Sequence, residues 1–512
     1  MMTVETSALP HTAVRFRADV ELIAADGELR IRGALGSLKI SGAGAEIVAE
    51  LRGLTTESRS VETIAENLSP EDRAKLAAIL DRGASLLIAT VTSDGHPMLE
   101  IEATAQGRAW SPVPVPGDAS IRLSKFALLR MRADTLVLES PLAAHRVRLI
   151  DSSSRAVVGD LAAGTFVADL AARHGGPVVH EIVAHLVALG FVEVGEAGTD
   201  DPGSVRFPSD TRPLLRQWEF HDLLAHSRGR AGRFDEPFGG IFPFEGEIAP
   251  QPAVKRCPDG PRIPLHRPDF TEVARRDPTL IASMEGRMSI RRYAAEPLTV
   301  VQLGEFLYRT ARVRAFHDLT SALPYEVTTR PYPCGGAAYE LDLYLTVERC
   351  AGLAPGVYYY DAMAHHLVLI NESDSDRRAL LRMASTATAF EADPQVLLTM
   401  TARFQRLSWK YRRIAYAVSL RHSGVLYQTM YLVATAMGLA PCGLGSGDSD
   451  LAARVFGLDY LEESSIGDFL LGAPGPGETD RLLADQLAWT DVNDRDWAGD
   501  ARVLLDGCEG VG

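Results

Sequence analysis

The first 205 residues alternate short strand-like runs of hydrophobic and polar positions with amphipathic segments. The run ELRIRGALGSLKI has the apolar/polar alternation of a strand pair. After it, Ser69 and the proline and acidic residues that follow are the start signals of a helix. Leu76, Ile79 and Leu80 fall on one face of that helix. Gly83 is then expected to end it before the apolar strand SLLIATV.

A similar order of elements recurs further along the chain. TLVLESPLAAHRVRLID has the pattern of strands, while GTFVADLAARHG and VVHEIVAHLVALGFVEV predict helix, helix, glycine and strand. We therefore predict two copies of one small unit, a winged-helix-like fold, at residues 1–105 and 106–205. The alternative is a pair of packing domains that bind nothing.

The pattern changes twice after residue 205. Residues 206–275 are rich in Pro and Gly with little periodicity, which predicts a connector that packs against another surface. Residues 276–490 combine strands such as LDLYLTVERC and VLLTMTA with longer helices. One of these helices is expected to run from Tyr411 to Gly438. This predicts one larger α+β domain, followed by an acidic tail at residues 491–512.

Composition and charge narrow the class of protein. Of 512 residues, 46% are hydrophobic and 23% charged, which is typical of a soluble globular protein. The net charge of -15 argues against nucleic-acid binding. The five cysteines include no C-x-x-C pair, so neither a disulfide framework nor a metal site is expected. There is no secretory pattern and no apolar run of membrane-spanning length, which predicts a cytoplasmic protein with no membrane contact.

Two short stretches offer ligand-binding chemistry. In RMSIRRY, the guanidiniums of Arg287 and Arg291 and the hydroxyl of Ser289 can converge on one phosphate, although an exposed basic turn has the same sequence. In PYPCGGAAYE, the Gly335-Gly336 turn would let a flat ring approach the backbone, and the alternative is a plain turn before a strand.

Two further stretches are more ambiguous. Residues 438–450, GLAPCGLGSGDSD, follow a predicted helix, so they lack the context of a dinucleotide fingerprint, but a glycine-rich turn can still line a cofactor. In LSWKYRRIAY, Lys410 and Tyr411 are a candidate acid/base pair or the amphipathic edge of an ordinary helix. Neighbouring arginines would favour their deprotonated forms. These arginines are Arg406, Arg412 and Arg413. Cys334 is not expected to be a nucleophile, because no visible motif pairs it with a histidine.

Taken in order, RMSIRRY, PCGGAAY, GVYYYD, WKY and GLAPCGLG resemble the nitroreductase-like flavoprotein superfamily. More closely, they are similar to the SagB/ThcOx-type dehydrogenases, the azoline oxidases of thiazole/oxazole-modified peptide pathways. The stretch at residues 218–240 resembles the connector of members with fused winged-helix-like domains. The resemblance implies an α+β chain in which two winged-helix-like peptide-recognition units precede a nitroreductase-like FMN domain. It also implies a homodimer with FMN at the subunit interface.

The resemblance implies roles for particular residues. Lys410 and Tyr411 match a Lys-Tyr pair that assists proton removal. The positions implied to bind FMN are Arg287, Ser289, Arg291, Pro333, Cys334, Gly335, Gly336, Gly443, Leu444 and Gly445. The chain departs from the family pattern at Cys334-Gly335, where Ser-Ala is usual, at Glu340, where Pro is usual, and at Asp342, where Glu is usual. These departures bear on substrate choice more than on flavin binding.

The implied function is FMN-dependent oxidation of peptide thiazolines or oxazolines to thiazoles or oxazoles, with O2 reoxidising the flavin. The implied partners are a leader-bearing precursor peptide, held by the N-terminal half through strand addition, and a cyclodehydratase. One alternative is an azoline oxidase acting on a carrier-bound nonribosomal substrate. A second is an NAD(P)H-dependent nitroreductase or quinone reductase. A third is a scaffold that only binds precursor and partner enzymes.

Overall fold

Two units make up the chain, residues 1–237 and residues 238–512. The computed structural model describes residues 12–25, 28–66, 68–106, 110–197, 204–318, 324–487, 496–497, 500 and 503–504. Most of the predicted acidic tail therefore lies outside the described residues. No helix in the described ranges is long and apolar enough to cross a membrane. The division at residue 237 falls inside the predicted connector, and the other predicted domain boundaries stay predictions.

The N-terminal unit contains short strands and mostly short helices. Its strands are β1 (Thr12–Phe16), β2 (Glu21–Ala25), β3 (Glu28–Gly33), β4 (Gly36–Ser41), β5 (Arg59–Ser60), β6 (Leu87–Ser93), β7 (His96–Ala103), β8 (Ser120–Leu123), β9 (Leu128–Arg132), β10 (Thr135–Glu139), β11 (His145–Leu149), β12 (Thr165–Phe166), β13 (Val192–Val194), β14 (Glu196–Ala197) and β15 (Val205–Arg206). Its helices are α1 (Ala45–Gly53), α2 (Val61–Glu66), α3 (Pro70–Arg82), α4 (Ser152–Leu161), α5 (Val167–His174), α6 (Gly176–Ala188), α7 (Pro208–Thr211), α8 (Pro213–Arg216) and α9 (Phe220–Arg228).

The main sheet of this unit is antiparallel, in the order β5-β1-β6-β7-β11-β10-β9. It takes strands from both of the predicted winged-helix-like repeats, so the two repeats share one sheet. The predicted details of helix α3 are confirmed. Ser69 caps it by accepting a hydrogen bond from the Asp72 amide, the predicted apolar face is buried, and Gly83 follows its last turn.

A buried ion cluster ties the segment around Asp235 to the main sheet. Asp235 accepts a hydrogen bond from Arg17 Nη2 at 2.6 Å and another from Arg146 Nη2. Both arginines also pair with Glu102, each at 3.1 Å. The side chains of Arg17, Arg146 and Asp235 are at most 7% exposed. Charges this well buried are stable only while each has its partner.

The C-terminal unit has longer elements. Its strands are β16 (Gly239–Gly240), β17 (Arg262–Pro264), β18 (Ala315–His317), β19 (Val327–Thr329), β20 (Leu341–Val347), β21 (Gly356–Asp361), β22 (His366–Asn371), β23 (Val396–Arg403), β24 (Tyr411–Arg412), β25 (Ala440–Leu444) and β26 (Glu463–Gly472). Its helices are α10 (Phe270–Arg276), α11 (Leu280–Glu285), α12 (Val300–Ala311), α13 (Asp374–Ala387), α14 (Phe404–Ser408), α15 (Ala415–Ala436), α16 (Ser449–Phe456) and α17 (Glu478–Leu487).

Helices cover both faces of the sheet in this unit, whose order is β17-β22-β21-β20-β23-β26-β25. Alternate residues of β20 point to opposite faces. Leu343 and Leu345 lie in a core with residues of α12 and α15, whereas Tyr344 lies in a second core with residues of α13 and α16. This explains why β20 is buried along its whole length. The α+β prediction for this region is confirmed.

Two sequence predictions in this unit are wrong in detail. The long helix begins at Ala415 rather than Tyr411, because Arg413 has a left-handed φ of 72° that a helix cannot include. Tyr411 instead lies in β24, which pairs with β16. Residues 440–444 form an edge strand against β26 rather than a turn. The proline and glycine of this stretch suggested a turn, but such residues are also tolerated in a strand at the edge of a sheet.

Candidate functional site

Helix α15 brings the predicted ligand-binding stretches together, and Tyr431 is the contact point at one end. The Tyr431 hydroxyl accepts a hydrogen bond from the Gly443 amide at 2.7 Å and shares one with Ser289 Oγ at 2.8 Å. The guanidinium of Arg287 lies 5.1 Å from the centre of the Tyr431 ring. Three positions predicted from two separate stretches of sequence therefore converge on one tyrosine.

The neighbouring residues of the same stretches also adjoin one another. Ile290 donates its amide to the Pro441 carbonyl at 2.8 Å, which holds RMSIRRY beside β25. Arg291 is hydrogen-bonded to the side chain of Cys442; burial raises the pKa of that thiol and Arg291 opposes the rise. Leu444 is buried at the end of β25, and Gly445 is exposed. Two half-buried guanidiniums and a hydroxyl thus lie beside a strand end that bears little side-chain bulk.

The glycine turn and the Lys-Tyr pair meet at Gly336. Its φ is +65°, and a Cβ placed there would lie 2.2 Å from Lys410 Nζ and 2.7 Å from the Tyr411 hydroxyl. The left-handed φ favours glycine, and a Cβ would also displace the Lys410 amine and the Tyr411 hydroxyl. Lys410 Nζ donates to the Tyr325 hydroxyl at 2.5 Å and to the Gly336 carbonyl at 3.4 Å. Pro333 is exposed at the start of this turn.

Aromatic rings surround the Lys410 amine. Nζ lies 4.9 Å from the ring centre of Tyr325, 5.3 Å from that of Tyr411 and 5.7 Å from that of Phe242. Ring faces attract a cation, so these three rings help to hold the Lys410 amine in place. A phenolate at Tyr411 would be able to accept a proton, and a Lys410 ammonium beside it would be its counter-charge.

Of the three arginines expected to act on Lys410 and Tyr411, Arg406 instead bonds to the protein backbone. Arg406 is buried and donates to the carbonyls of Ala338 at 2.9 Å and Gln251 at 2.7 Å, and also to that of Glu326. It anchors the chain before the sheet to the residues leading into β20. All three of its guanidinium nitrogens thus donate to backbone carbonyls rather than acting on Lys410.

Sequence reasoning missed a buried cluster of Cys334, Glu340 and His422. His422 Nδ1 lies 2.8 Å from Glu340 Oε1 and 3.5 Å from Cys334 Sγ. The expectation that Cys334 has no histidine partner is therefore wrong. The sequence signal that could have found this cluster is the spacing of His422, Leu426 and Met430. These residues are four apart and form one buried stripe of α15.

The surroundings of Cys334 and Glu340 shift the pKa values of these two groups in opposite directions. Burial, reinforced by the charge of Glu340, raises the pKa of Cys334 to about 12, so its thiol stays protonated near neutral pH. Burial also acts to raise the pKa of Glu340. Hydrogen bonds donated by His422 and Ser419 outweigh that effect, and the pKa of Glu340 lies below its ordinary value. Cys334 is accordingly a weak donor, not a nucleophile.

Alkylation of Cys334 is expected to be slow. At pH 8 its thiol holds about 10³-fold less thiolate than a thiol of ordinary pKa, and the labelling rate with iodoacetamide should fall accordingly. The rate should rise as the pH approaches 12, since only the thiolate reacts. Mass spectrometry of the peptide that contains Cys334 measures the labelling rate. Glu340→Gln should increase this rate, because it removes a nearby negative charge. Rapid labelling at pH 7 would contradict this assignment.

The two carboxylates that depart from the family pattern both face inward. Glu340 has no exposed surface and bonds His422. Asp342 accepts a hydrogen bond from Arg403 Nε at 2.9 Å, and the two side chains are 3% and 4% exposed. Neither side chain is therefore exposed to contact a substrate directly, and the expectation that these departures bear on substrate choice stays a prediction.

Two family models match the chain. The model described as cyanobactin oxidase ThcOx matches residues 121–235, and the model described as the nitroreductase family matches residues 284–472. The chain combines a ThcOx-like segment with a nitroreductase domain. This confirms the resemblance predicted from the order of the motifs. All the site positions that this resemblance implied lie within the nitroreductase domain.

Three curated proteins from different organisms are similar to parts of this chain. A nitroreductase-like protein of Methanocaldococcus jannaschii, MJ1384, is 27% identical over 36% of this chain and 86% of its own length. Trifolitoxin-processing protein TfxB of Rhizobium leguminosarum bv. trifolii is 28% identical over 27% of this chain and 38% of its own. Microcin B17-processing protein McbC of Escherichia coli is 28% identical over 25% and 49%. The alignments span less than half of TfxB and McbC.

Solved structures resemble the nitroreductase domain at low identity. A nitroreductase-type protein of Ralstonia eutropha is 22% identical, with a TM-score of 0.34 over 47% of this chain and 99% of that chain. A chain of the E. coli microcin synthetase McbBCD complex with truncated pro-MccB17 is 20% identical, with a TM-score of 0.31 over 41% and 70%. TM-scores of this size carry no functional inference, so the domain assignment rests on the family models.

Proposed function

We propose that this protein is an FMN-dependent azoline dehydrogenase that oxidises thiazoline or oxazoline rings in a peptide to thiazoles or oxazoles. The observation that carries the proposal is the contact of Gly336 with both Lys410 and Tyr411. It puts a candidate proton acceptor directly against the turn that the resemblance implies for the flavin. The ThcOx-like segment and the similarity to McbC and TfxB, both named as peptide-processing proteins, support a peptide substrate in biosynthesis of a modified peptide.

The residues present fit FMN by their chemistry. Arg287 and Arg291 supply planar guanidinium donors and Ser289 a neutral one, which suits a phosphate monoester. Gly335 and Gly336 in the turn, and Gly443 and Gly445 on either side of Leu444, leave two stretches of backbone with little side-chain bulk beside a flat ring. These are the residues that would hold FMN, together with Pro333, Cys334 and Leu444.

Oxidation of an azoline removes two hydrogens from the ring. One leaves as a proton, and the other leaves with two electrons to an acceptor, which bound FMN supplies. The chain must therefore provide a base beside the ring carbon. We assign that role to the phenolate form of Tyr411, which becomes the neutral phenol on taking the ring proton, with the Lys410 ammonium as counter-charge to the phenolate. Tyr325 holds the Lys410 amine in place through the hydrogen bond between them.

The N-terminal unit offers a sheet edge for a leader peptide. Among the described strands, β9 ends the main sheet, and its only sheet partner is β10. Leu129 and Met131 of β9 are 37% and 60% exposed, and they point to one face because they are two residues apart. An extended peptide could add to this edge and cover both side chains. We infer that the partner of this edge is the leader of a precursor peptide in which a cyclodehydratase has formed the azoline rings.

Loss of the phosphate donors is expected to weaken FMN binding. A hydrogen bond to a charged group contributes about 1.5–3 kcal/mol, so Arg287→Ala should raise the Kd for FMN by about 10- to 100-fold. Ser289→Ala should raise it by about 10-fold or less, because its donor is neutral. Quenching of FMN fluorescence on titration with apoprotein measures the Kd. Arg292→Ala is the matched control, since Arg292 is 61% exposed and pairs with Glu478, and it should leave the Kd unchanged.

An unchanged Kd in both Arg287→Ala and Ser289→Ala would contradict the proposed phosphate site. Equal weakening in the Arg292→Ala control would point instead to a diffuse effect of net charge.

A further inference from the structure

We propose that Glu340 and His422 form a positioning dyad that holds the Gly335 amide and so keeps the glycine turn against Lys410 and Tyr411. This inference rests on the proposed function for its link to catalysis. The dyad itself rests only on hydrogen bonds within the C-terminal unit. His422 is a positioning residue, because it contacts the turn and not the Lys-Tyr pair.

The hydrogen-bond donors around His422 fix its tautomer. The Gly335 amide donates to His422 Nε2 at 2.8 Å, and an amide can only donate. Nε2 is therefore unprotonated, and the ring proton lies on Nδ1, where it is donated to Glu340 Oε1 at 2.8 Å. Glu340 is 0% exposed and His422 is 5% exposed, so water does not compete for these bonds.

The dyad acts on the turn through one residue. Gly335 is held by His422, and the next residue, Gly336, is the one whose backbone abuts Lys410 Nζ and the Tyr411 hydroxyl. Tyr325 fixes the other side of the same residue by donating to the Gly336 carbonyl at 2.7 Å. A displacement of about 1 Å in the placement of a catalytic group can cost about 10²-fold in rate. Loss of the His422 bond would permit such a displacement.

A metal site at the same cluster is disfavoured by the same geometry. Cys334, Glu340 and His422 offer ligand atoms that all lie within 4.8 Å of one another. A metal bound at His422 Nδ1 would leave the proton of the neutral ring on Nε2. That proton would face the Gly335 amide, so two donors would oppose each other at 2.8 Å. The thiol would also have to lose a proton that its environment retains.

The test begins with the full-length wild-type protein labelled with 15N-histidine. We expect the His422 signals, assigned by their absence in His422→Gln, to show that the neutral ring is the Nδ1–H tautomer. Hydrogen exchange of the peptide containing Gly335 should accelerate in His422→Leu. It should stay near wild type in His422→Gln, whose amide oxygen can replace Nε2 as acceptor.

Kinetics with a leader-bearing azoline peptide test the link to catalysis. We expect His422→Leu to lower kcat by about 10- to 100-fold with little change in KM, because the displaced group acts in the reaction and not in binding. His422→Gln should restore most of kcat. A merely structural role would instead lower the folded fraction without this selective rescue.

Several outcomes would overturn the dyad. They are an Nε2–H tautomer of neutral His422, wild-type kcat in a folded His422→Leu variant, or one equivalent of bound zinc that Cys334→Ser abolishes. If the wild-type protein oxidised no azoline peptide, the proposed function would fail, while the tautomer and exchange measurements would still decide whether the dyad exists.

Discussion

Replacing Lys410 with methionine is expected to leave FMN bound and to lower the rate of azoline oxidation by about 10²- to 10⁴-fold, the range for loss of a positioned acid/base group. Methionine keeps much of the side-chain volume between the Tyr325 and Phe242 rings, so the site should stay folded. It removes the ammonium that stands beside the Tyr411 hydroxyl. Stopped-flow absorbance of the flavin after mixing with azoline peptide measures the rate of the chemical step.

A loss of catalysis in Lys410→Met can be distinguished from a general loss of folding. If Lys410 acts through Tyr411, then Tyr411→Phe should slow the same step, and the double variant should be little slower than either single variant. Arg382→Met is the matched control. Arg382 is an exposed cation of α13, and α13 packs on the sheet face opposite α15. Full turnover in Lys410→Met would show that its assigned role is wrong.

Replacing Asp235 with alanine is expected to destabilise the N-terminal unit by about 3–5 kcal/mol, the range for removing one partner of a buried ion pair. Arg17 and Arg146 would then lose their shared acceptor, and each is at most 7% exposed. Hydrogen exchange measured on peptides from β7 and β11 should accelerate by at least about 10²-fold, since each 1.4 kcal/mol changes an equilibrium constant about tenfold.

Conservative and surface variants complete this test. Asp235→Asn keeps one acceptor oxygen and should be less damaging than Asp235→Ala. Lys75→Ala breaks an exposed pair with Glu71 and should leave the exchange unchanged. If Asp235→Ala exchanged at the wild-type rate, the buried cluster would not stabilise this unit.

Local patterns sufficed for much of the fold. The cap at Ser69, the buried stripe of α3 and the strand at 341–347 follow from short-range signals of capping, helical period and β-branched or aromatic content. The start of α15 could not be predicted in this way. A single left-handed residue, Arg413, ends the extended run at Tyr411, and its conformation leaves no mark in hydrophobic periodicity.

The candidate site was predictable only as a set of separate segments. Sequence order indicated Arg287, Gly336 and Lys410, but not their neighbours: Arg287 lies against Tyr431 of α15, and Gly336 lies against Lys410. The His422–Glu340 bond joins residues 82 positions apart, so no local motif could reveal it. The steric need for glycine at 336 is likewise set by Lys410, which lies in another segment.

The most direct test of the central claim is an anaerobic visible spectrum of the purified protein, recorded before and after addition of a leader-bearing azoline peptide. We expect a flavin absorption band that bleaches on addition of the peptide, without NAD(P)H. Bleaching by NAD(P)H alone would contradict azoline oxidation and favour a nitroreductase or quinone reductase. A protein that cannot be reconstituted with FMN would contradict the flavin site itself and favour a scaffold role.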